Sequence, residues 1–274
     1  MIELGSDAQK EMLEEVVAGA KKLALAHGEP DSRYDLAHVS TTSEGGKLTG
    51  RKAVVLNAGA ADMLVVSART SGAAGDESGI SLYLVDPKGA GVTMRETPSV
   101  DGGRVAEITL DGAAGELLGA EGQAYAAIEK TAAAATVALC AEALGAMGVA
   151  HEMTVDYSKQ RKQFGRAIGT FQALQHRMVD MGVEIEQARS AVINAAGKLE
   201  ADRTERELVV SAAKNMIGRA GKYVAEEAIQ IHGGIGMTWE YAVGHYAKRI
   251  IMIDHMLGDA DHHLERFIKL STAA

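Results

Sequence analysis

The spacing of apolar residues changes near residue 112. Before it, runs rich in Val, Ile and Leu alternate with turn residues: 52–56 (KAVVL), 63–68 (MLVVSA) and 80–85 (ISLYLV), each bounded by Gly, Asn or Asp. Runs of this kind predict β-strands. Residues 91–95 and 105–110 add two more, separated by the turn-like Asp101-Gly102-Gly103. Several short strands at this spacing predict an antiparallel barrel or sandwich of roughly 85 residues. The first 25 residues are amphipathic, with Met12, Leu13, Val16 and Val17 on one helical face. Such a helix is no domain by itself.

Beyond residue 112 the pattern is helical, and all three prolines (Pro30, Pro87, Pro98) lie before it. An Ala-rich helix is predicted over 123–158. A second spans 171–200, where Ala173, Leu174, Met178, Met181, Ile185 and Ala188 step by three and four. A third spans 204–232, and a fourth spans 243–269 with a break at Gly258. Glycines at 165–169 and 233–236 separate them. Four long antiparallel helices make a bundle. The predicted organisation is α+β: a leading helix over 1–25, a β-domain over 26–112 and a four-helix bundle over 113–274.

Hydrophobic residues make up 47% of the 274, enough for a sizeable core. The net charge of -9 argues against a nucleic-acid surface, which needs clustered Lys and Arg. The single cysteine, Cys140, excludes an intrachain disulfide and points to a reducing, cytoplasmic setting. In its Ala-rich run it reads as a small core residue. No 18-residue apolar span is expected, so no membrane crossing is predicted. The start, MIELGSDAQKEML, lacks the apolar core of a signal peptide.

Four segments carry candidate chemistry. Arg161-Lys162-Gln163-Phe164-Gly165 lies between the first two bundle helices. Arg161 is a fixed planar cation suited to a diphosphate; with Lys159, Lys162 and Arg166 it also reads as a solvated basic patch. Gln230-Ile231-His232-Gly233-Gly234-Ile235-Gly236 lets backbone amides approach a ligand, or simply ends a helix. No strand precedes it, so it is not a dinucleotide fingerprint. His232 is a candidate base or a packed histidine. Asp259, His262 and His263 share one helical face, but without a water-activating Glu they read as a solvated face, and no metal is expected.

The order of these segments resembles the acyl-CoA dehydrogenase family. An R-x-x-F-G element, then Phe171-Gln172, then residues 230–241 (QIHGGIGMTWEY) follow that family's bundle. Gly28-Glu29-Pro30 resembles its T-E-P loop, and residues 48–57 (LTGRKAVVLN) resemble its L-x-G-x-K-x-W-I-T-N strand. Residues 29–36 (EPDSRYDL) and 258–264 (GDADHHL) are similar to the small subunit of pimeloyl-CoA dehydrogenase-like two-subunit enzymes. The resemblance implies a middle β-domain and a C-terminal four-helix bundle, assembled as a dimer of dimers from like or unlike chains. It implies FAD, an acyl-CoA substrate losing its α-proton to a glutamate and its β-hydride to the flavin, and an electron-transfer flavoprotein as acceptor. It assigns Arg161, Phe164, Gln172, Gln230, Gly233 and Gly234 to the adenine and diphosphate half of FAD, across a dimer interface.

Three departures qualify the resemblance. The family's N-terminal helical domain has no counterpart before Gly5. The ring contacts differ: Gly28 replaces a threonine, Tyr34 falls where a serine stands, and Val54-Val55-Leu56 replaces W-I-T. The family's two positions for the catalytic glutamate fall at Leu257 and Ala135, so the base is unknown. Asp259, two residues beyond Leu257, is the nearest candidate. Glu142 lies two helical turns from Ala135, roughly 10 Å away. Three readings follow: a subunit lending FAD contacts to a heteromeric enzyme, a self-sufficient dehydrogenase using Asp259, and a non-enzymatic scaffold.

Overall fold

A serine opens the first helix. Ser6 Oγ accepts from the Gln9 amide (3.3 Å) and Gln9 Oε1 from the Ser6 amide (3.1 Å), a capping box that starts α1 (Asp7–Val17). Buried Gln9 then donates from Nε2 to Glu116 Oε1 (2.7 Å) and Leu117 O (3.0 Å). The apolar face expected from Met12, Leu13, Val16 and Val17 is at most half-buried, and Val17 is exposed. A polar side chain anchors α1 where an apolar stripe was expected. The computed structural model describes residues 1–273, and the chain divides into two units, Met1–Thr131 and Ala132–Ala274.

The first unit is built on one sheet of eight strands: β1 (Leu23–Ala26), β2 (Thr42–Glu44), β3 (Lys47–Leu56), β4 (Met63–Arg69), β5 (Ile80–Val85), β6 (Val92–Pro98), β7 (Arg104–Ala114) and β8 (Glu116–Leu118). Their order is β6-β7-β3-β2-β4-β5-β8, with β1 also on β4. Two pairings correct the expectation of an all-antiparallel array: β1 and β2 run parallel to β4. Hairpins force antiparallel neighbours, whereas β1 and β2 reach β4 through longer connections and escape that constraint. The tight β2–β3 turn is Gly45-Gly46, with φ of 55° and 78°, the left-handed pair a two-residue hairpin demands. Leu48, Leu64, Val66, Ile108 and Leu110 fill the sheet's core. A second cluster joins Val39, Ile80, Leu84 and Leu118 to Ala124 and Ile128, which carries the first unit past the sheet to residue 131.

Helix α2 (Tyr125–Gln160) leads into the bundle unit, which holds α3 (Gln172–Gly197), α4 (Arg203–His232), α5 (Val243–Asp254) and α6 (Ala260–Ala273). The fourth expected helix is broken over 255–259. Met147, Met181, Ile185, Ile217, Val224 and Ile250 pack at its centre. On α3 the predicted stripe is buried at Met178, Met181, Ile185 and Ala188, half-buried at Leu174 and exposed at Ala173. Cys140 is fully buried; burial, partly offset by the Lys214 charge, pushes its thiol up to about 12, so it is an inert core residue. Helix α2 overturns the expectation that no span is apolar enough to cross a membrane. By length and composition it passes that test, although the core helix of a bundle passes it too. Alanine runs score as apolar while supplying little side chain to bury.

Candidate active site

Gln160 ends α2, and the chain turns back through β9 (Lys162–Gln163) and β10 (Arg166–Ala167) around Phe164-Gly165. Both turn residues are left-handed, with φ of 54° and 80°. Glycine adopts this freely; a phenylalanine there is strained. Phe164 is nevertheless 91% exposed, its ring 6.1 Å from that of Phe171 and edge-on to it. The Arg166 guanidinium lies 4.1 Å over the Phe171 ring. Arg161 and Gln172, the first residue of α3, are also exposed.

The glycine segment meets the same end of the bundle through an aromatic stack. Tyr157, one helical turn before Arg161, stacks on His232 with ring centroids 4.5 Å apart, and Tyr241 lies 5.1 Å from His232. His232 immediately precedes Gly233 and Gly234. Thus Arg161, Phe164, Gln172, Gln230, Gly233 and Gly234 are gathered at one end of the unit. Gly233 has φ 65°, and no atom lies within 4 Å of where a Cβ would stand on Gly233 or Gly234. Their backbone is open to close approach. His232 is 3% exposed; its Nδ1 lies 2.7 Å from Ala228 O, and burial lowers its pKa. It is a neutral packing residue and not an exposed base.

Leu257 sits on the 255–259 turn, 39% exposed, with φ 56°. The turn is braced from α4. Buried Lys214 donates to Asp254 O (2.8 Å) and, by a short bond, to Gly258 O. Asn215 Nδ2 donates to Ala260 O (2.8 Å). His263 Nε2 lies 2.9 Å from Leu257 O, with Nδ1 3.4 Å from Ser211 Oγ. Both ring nitrogens of His263 therefore face protein partners. Among the described residues no three His, Cys, Asp or Glu side chains converge. Asp259 Oδ1 accepts from the His262 amide (2.8 Å), capping α6. Ala135 is half-buried, and Glu142 is held by Arg249 through bonds of 2.6 and 2.9 Å.

In the β-unit, sequence reasoning passed over Lys52. Its side chain is fully buried, and Nζ donates to Glu29 Oε1 (2.7 Å), Ser67 Oγ (2.9 Å) and His27 O (3.3 Å). Glu29 also accepts from the Ser40 (2.7 Å) and Thr41 (3.0 Å) amides. Burial raises the Glu29 pKa, but the Lys52 charge and hydrogen bonds more than offset it and leave it lowered. Burial brings Lys52 down to about 8 against the pull of Glu29. The pair is ionised at neutral pH and fixes the 28–41 segment. A lysine inside the apolar run KAVVL was the available signal.

These residues fit an organic diphosphate on one side only. The bundle end offers a guanidinium, exposed aromatic rings and open left-handed backbone, the donors an anion and an adenine require. The β-unit exposes the apolar Val54 and Leu56, side chains that offer a polar ring no hydrogen bond.

The fold is a mixed sheet followed by a helical bundle. Sequence profiles agree: the acyl-CoA dehydrogenase C-terminal domain matches residues 123–269 and the middle domain residues 24–113. The 3-(aryl)acrylate reductase of Clostridium sporogenes is 32% identical over 252 residues, 88% of this chain and 66% of that protein. Subunit CarC of the caffeyl-CoA reductase-Etf complex of Acetobacterium woodii is 30% identical over 250 residues, 87% of this chain and 65% of that one. The solved Tcur3481-Tcur3483 steroid ACAD is 32% identical with a TM-score of 0.88, covering 99% of this chain and 73% of that one. The chain therefore spans about two thirds of the length of these curated relatives. The chain belongs to the acyl-CoA dehydrogenase family.

Proposed function

We propose that the chain is a subunit of an FAD-dependent acyl-CoA dehydrogenase that lends its bundle end to a flavin held mainly by another subunit. The observation that carries this is the asymmetry of its ligand groups: donors for a diphosphate are assembled and exposed, while ring contacts and a base are absent from their family positions. Arg161 and the Gly233-Gly234 amides hold the diphosphate, and Phe164, Gln172 and Gln230 contact the adenine half. FAD, when bound, takes the β-hydride of the acyl-CoA. Leu257 and Ala135 cannot take the α-proton, and the Asp259 carboxylate is engaged as a helix cap, so the base comes from the partner subunit. An electron-transfer flavoprotein as acceptor is supported by the relative named as part of an Etf complex. A cytoplasmic location is supported by the single free thiol.

The test is Arg161→Ala in the complex co-expressed with its candidate partner. The FAD absorbance per complex should fall at least about tenfold when a charge-assisted diphosphate contact is lost. An unchanged flavin load with intact assembly would refute the assignment.

A further inference from the structure

One buried nitrogen at this end of the bundle has nothing to bond. His232 is 3% exposed, and its Nε2 is sealed from solvent without a hydrogen-bond partner. Folded proteins rarely leave a buried polar atom in that state unless a ligand or catalytic role requires it. The other such atom in the bundle unit, Glu227 Oε2, is ion-paired with Arg177 at 2.5 Å. Among the described residues of that unit, His232 Nε2 alone has neither a hydrogen bond nor a counter-charge.

The chemical state of the ring is fixed. Nδ1 lies 2.7 Å from Ala228 O, and a carbonyl only accepts, so the ring proton sits on Nδ1. Burial lowers the pKa and keeps the imidazole neutral at pH 7. Nε2 is therefore a bare lone pair, able to accept and not to donate. The ring is also held in place: Tyr157 stacks on it at 4.5 Å and 26°, and Tyr241 leans over it at 5.1 Å and 54°. The 233–237 turn doubles back over the histidine, so that a Cβ on Gly236 would stand 3.0 Å from His232 Cβ. At Gly233 and Gly234 the same turn borders open space and has room to shift.

We infer that His232 Nε2 accepts a hydrogen bond from a sugar hydroxyl of the bound dinucleotide, uncovered as the 233–237 turn moves aside. The inference rests on the shared flavin site proposed above and adds the residue that reads the sugar. Three points of chemistry select a hydroxyl. Phosphate and carboxylate oxygens only accept at pH 7, so they give a bare lone pair nothing. A metal ion needs further ligands, and among the described residues no three His, Cys, Asp or Glu side chains converge. The donor must also lie close to a diphosphate, because His232 directly precedes Gly233-Gly234. On either side of the FAD diphosphate stands a polyol, the adenosine ribose or the ribityl chain, whereas the adenine amine lies beyond the ribose.

The test is a set of FAD analogues, each lacking one ribose or ribityl hydroxyl, titrated into the co-expressed complex stripped of its flavin. Binding is followed by flavin fluorescence. The wild-type complex should bind one analogue about tenfold more weakly than FAD, and that analogue identifies the sugar as ribose or ribityl. His232→Phe keeps a ring between the two tyrosines and loses the acceptor. It should bind FAD about tenfold more weakly and no longer distinguish that analogue from FAD. His232→Gln restores an acceptor and should regain the discrimination. Should either variant fail to fold, the wild-type titrations still decide. Equal binding of every analogue by the wild type would overturn the inference and leave Nε2 with a buried water only. So would the same loss in wild type and His232→Phe, or a loss confined to an analogue without the adenine amine. A complex that takes up no FAD at all refutes the shared flavin site as well. FAD binding that needs Arg161 but no sugar hydroxyl overturns this inference alone.

Discussion

Replacing Lys52 by methionine should be the most damaging single change in the β-unit. The substitution keeps the length and apolar character of the stem and removes only the charge. It leaves the Glu29 carboxylate, whose side chain is 4% exposed, with the Ser40 and Thr41 amides but no counter-charge. It also deprives Ser67 Oγ and His27 O of a donor. Breaking a buried ion pair from one side costs about 3–5 kcal/mol, most of it the desolvation of the stranded charge. For a unit of this size that lowers Tm by about 10 °C or more. Scanning calorimetry of the purified chain measures it. The double variant Lys52→Met, Glu29→Gln removes both charges and should recover at least half of the loss, because a neutral amide still bonds the segment. A Lys52→Met loss below about 1 kcal/mol, or a double variant no better than the single, would refute the view that an ionised pair holds the 28–41 segment.

Two further outcomes are expected. His27 and His263 are buried neutral, and burial lowers their pKa values from 6.5 to about 4 and about 3. The unfolded chain then binds more protons than the folded one as pH falls below 6.5, so stability is complete above 6.5 and declines towards 4; the His27 share is about 3 kcal/mol. Urea midpoints from pH 7 to 4 should show the decline, and His27→Gln should flatten it; a flat wild-type profile would contradict the burial argument. Asp259→Asn should keep the α6 cap, change stability by under about 0.5 kcal/mol and leave turnover of the co-expressed complex unchanged. A thousandfold loss of acyl-CoA-dependent flavin bleaching in that folded variant would instead make Asp259 the base.

The sequence by itself determined the elements whose signal is local. Four of the five runs lie within strands and the fifth, 91–95, enters β6 at Val92, because pleated, half-buried backbone selects those side chains. The proline-free Ala-rich stretch became α2, and Gly258, at φ 107°, marks where the last expected helix breaks. Three- and four-residue strands were not legible: β1, β2 and β8 hold their shape through partners far along the chain, not through their own pattern. For the same reason only the fold decided that β1 and β2 run parallel to β4. Order along the chain was enough to name Arg161, Phe164, Gln172 and the glycine segment as candidates. It took the Tyr157–His232 stack to put the two segments at one end of the bundle. Only the fold showed that Asp259 caps a helix and that Lys52 is an interior ion. A side chain's type fixes what bonds it can make, but its partners and its distance from water are set by residues remote in sequence.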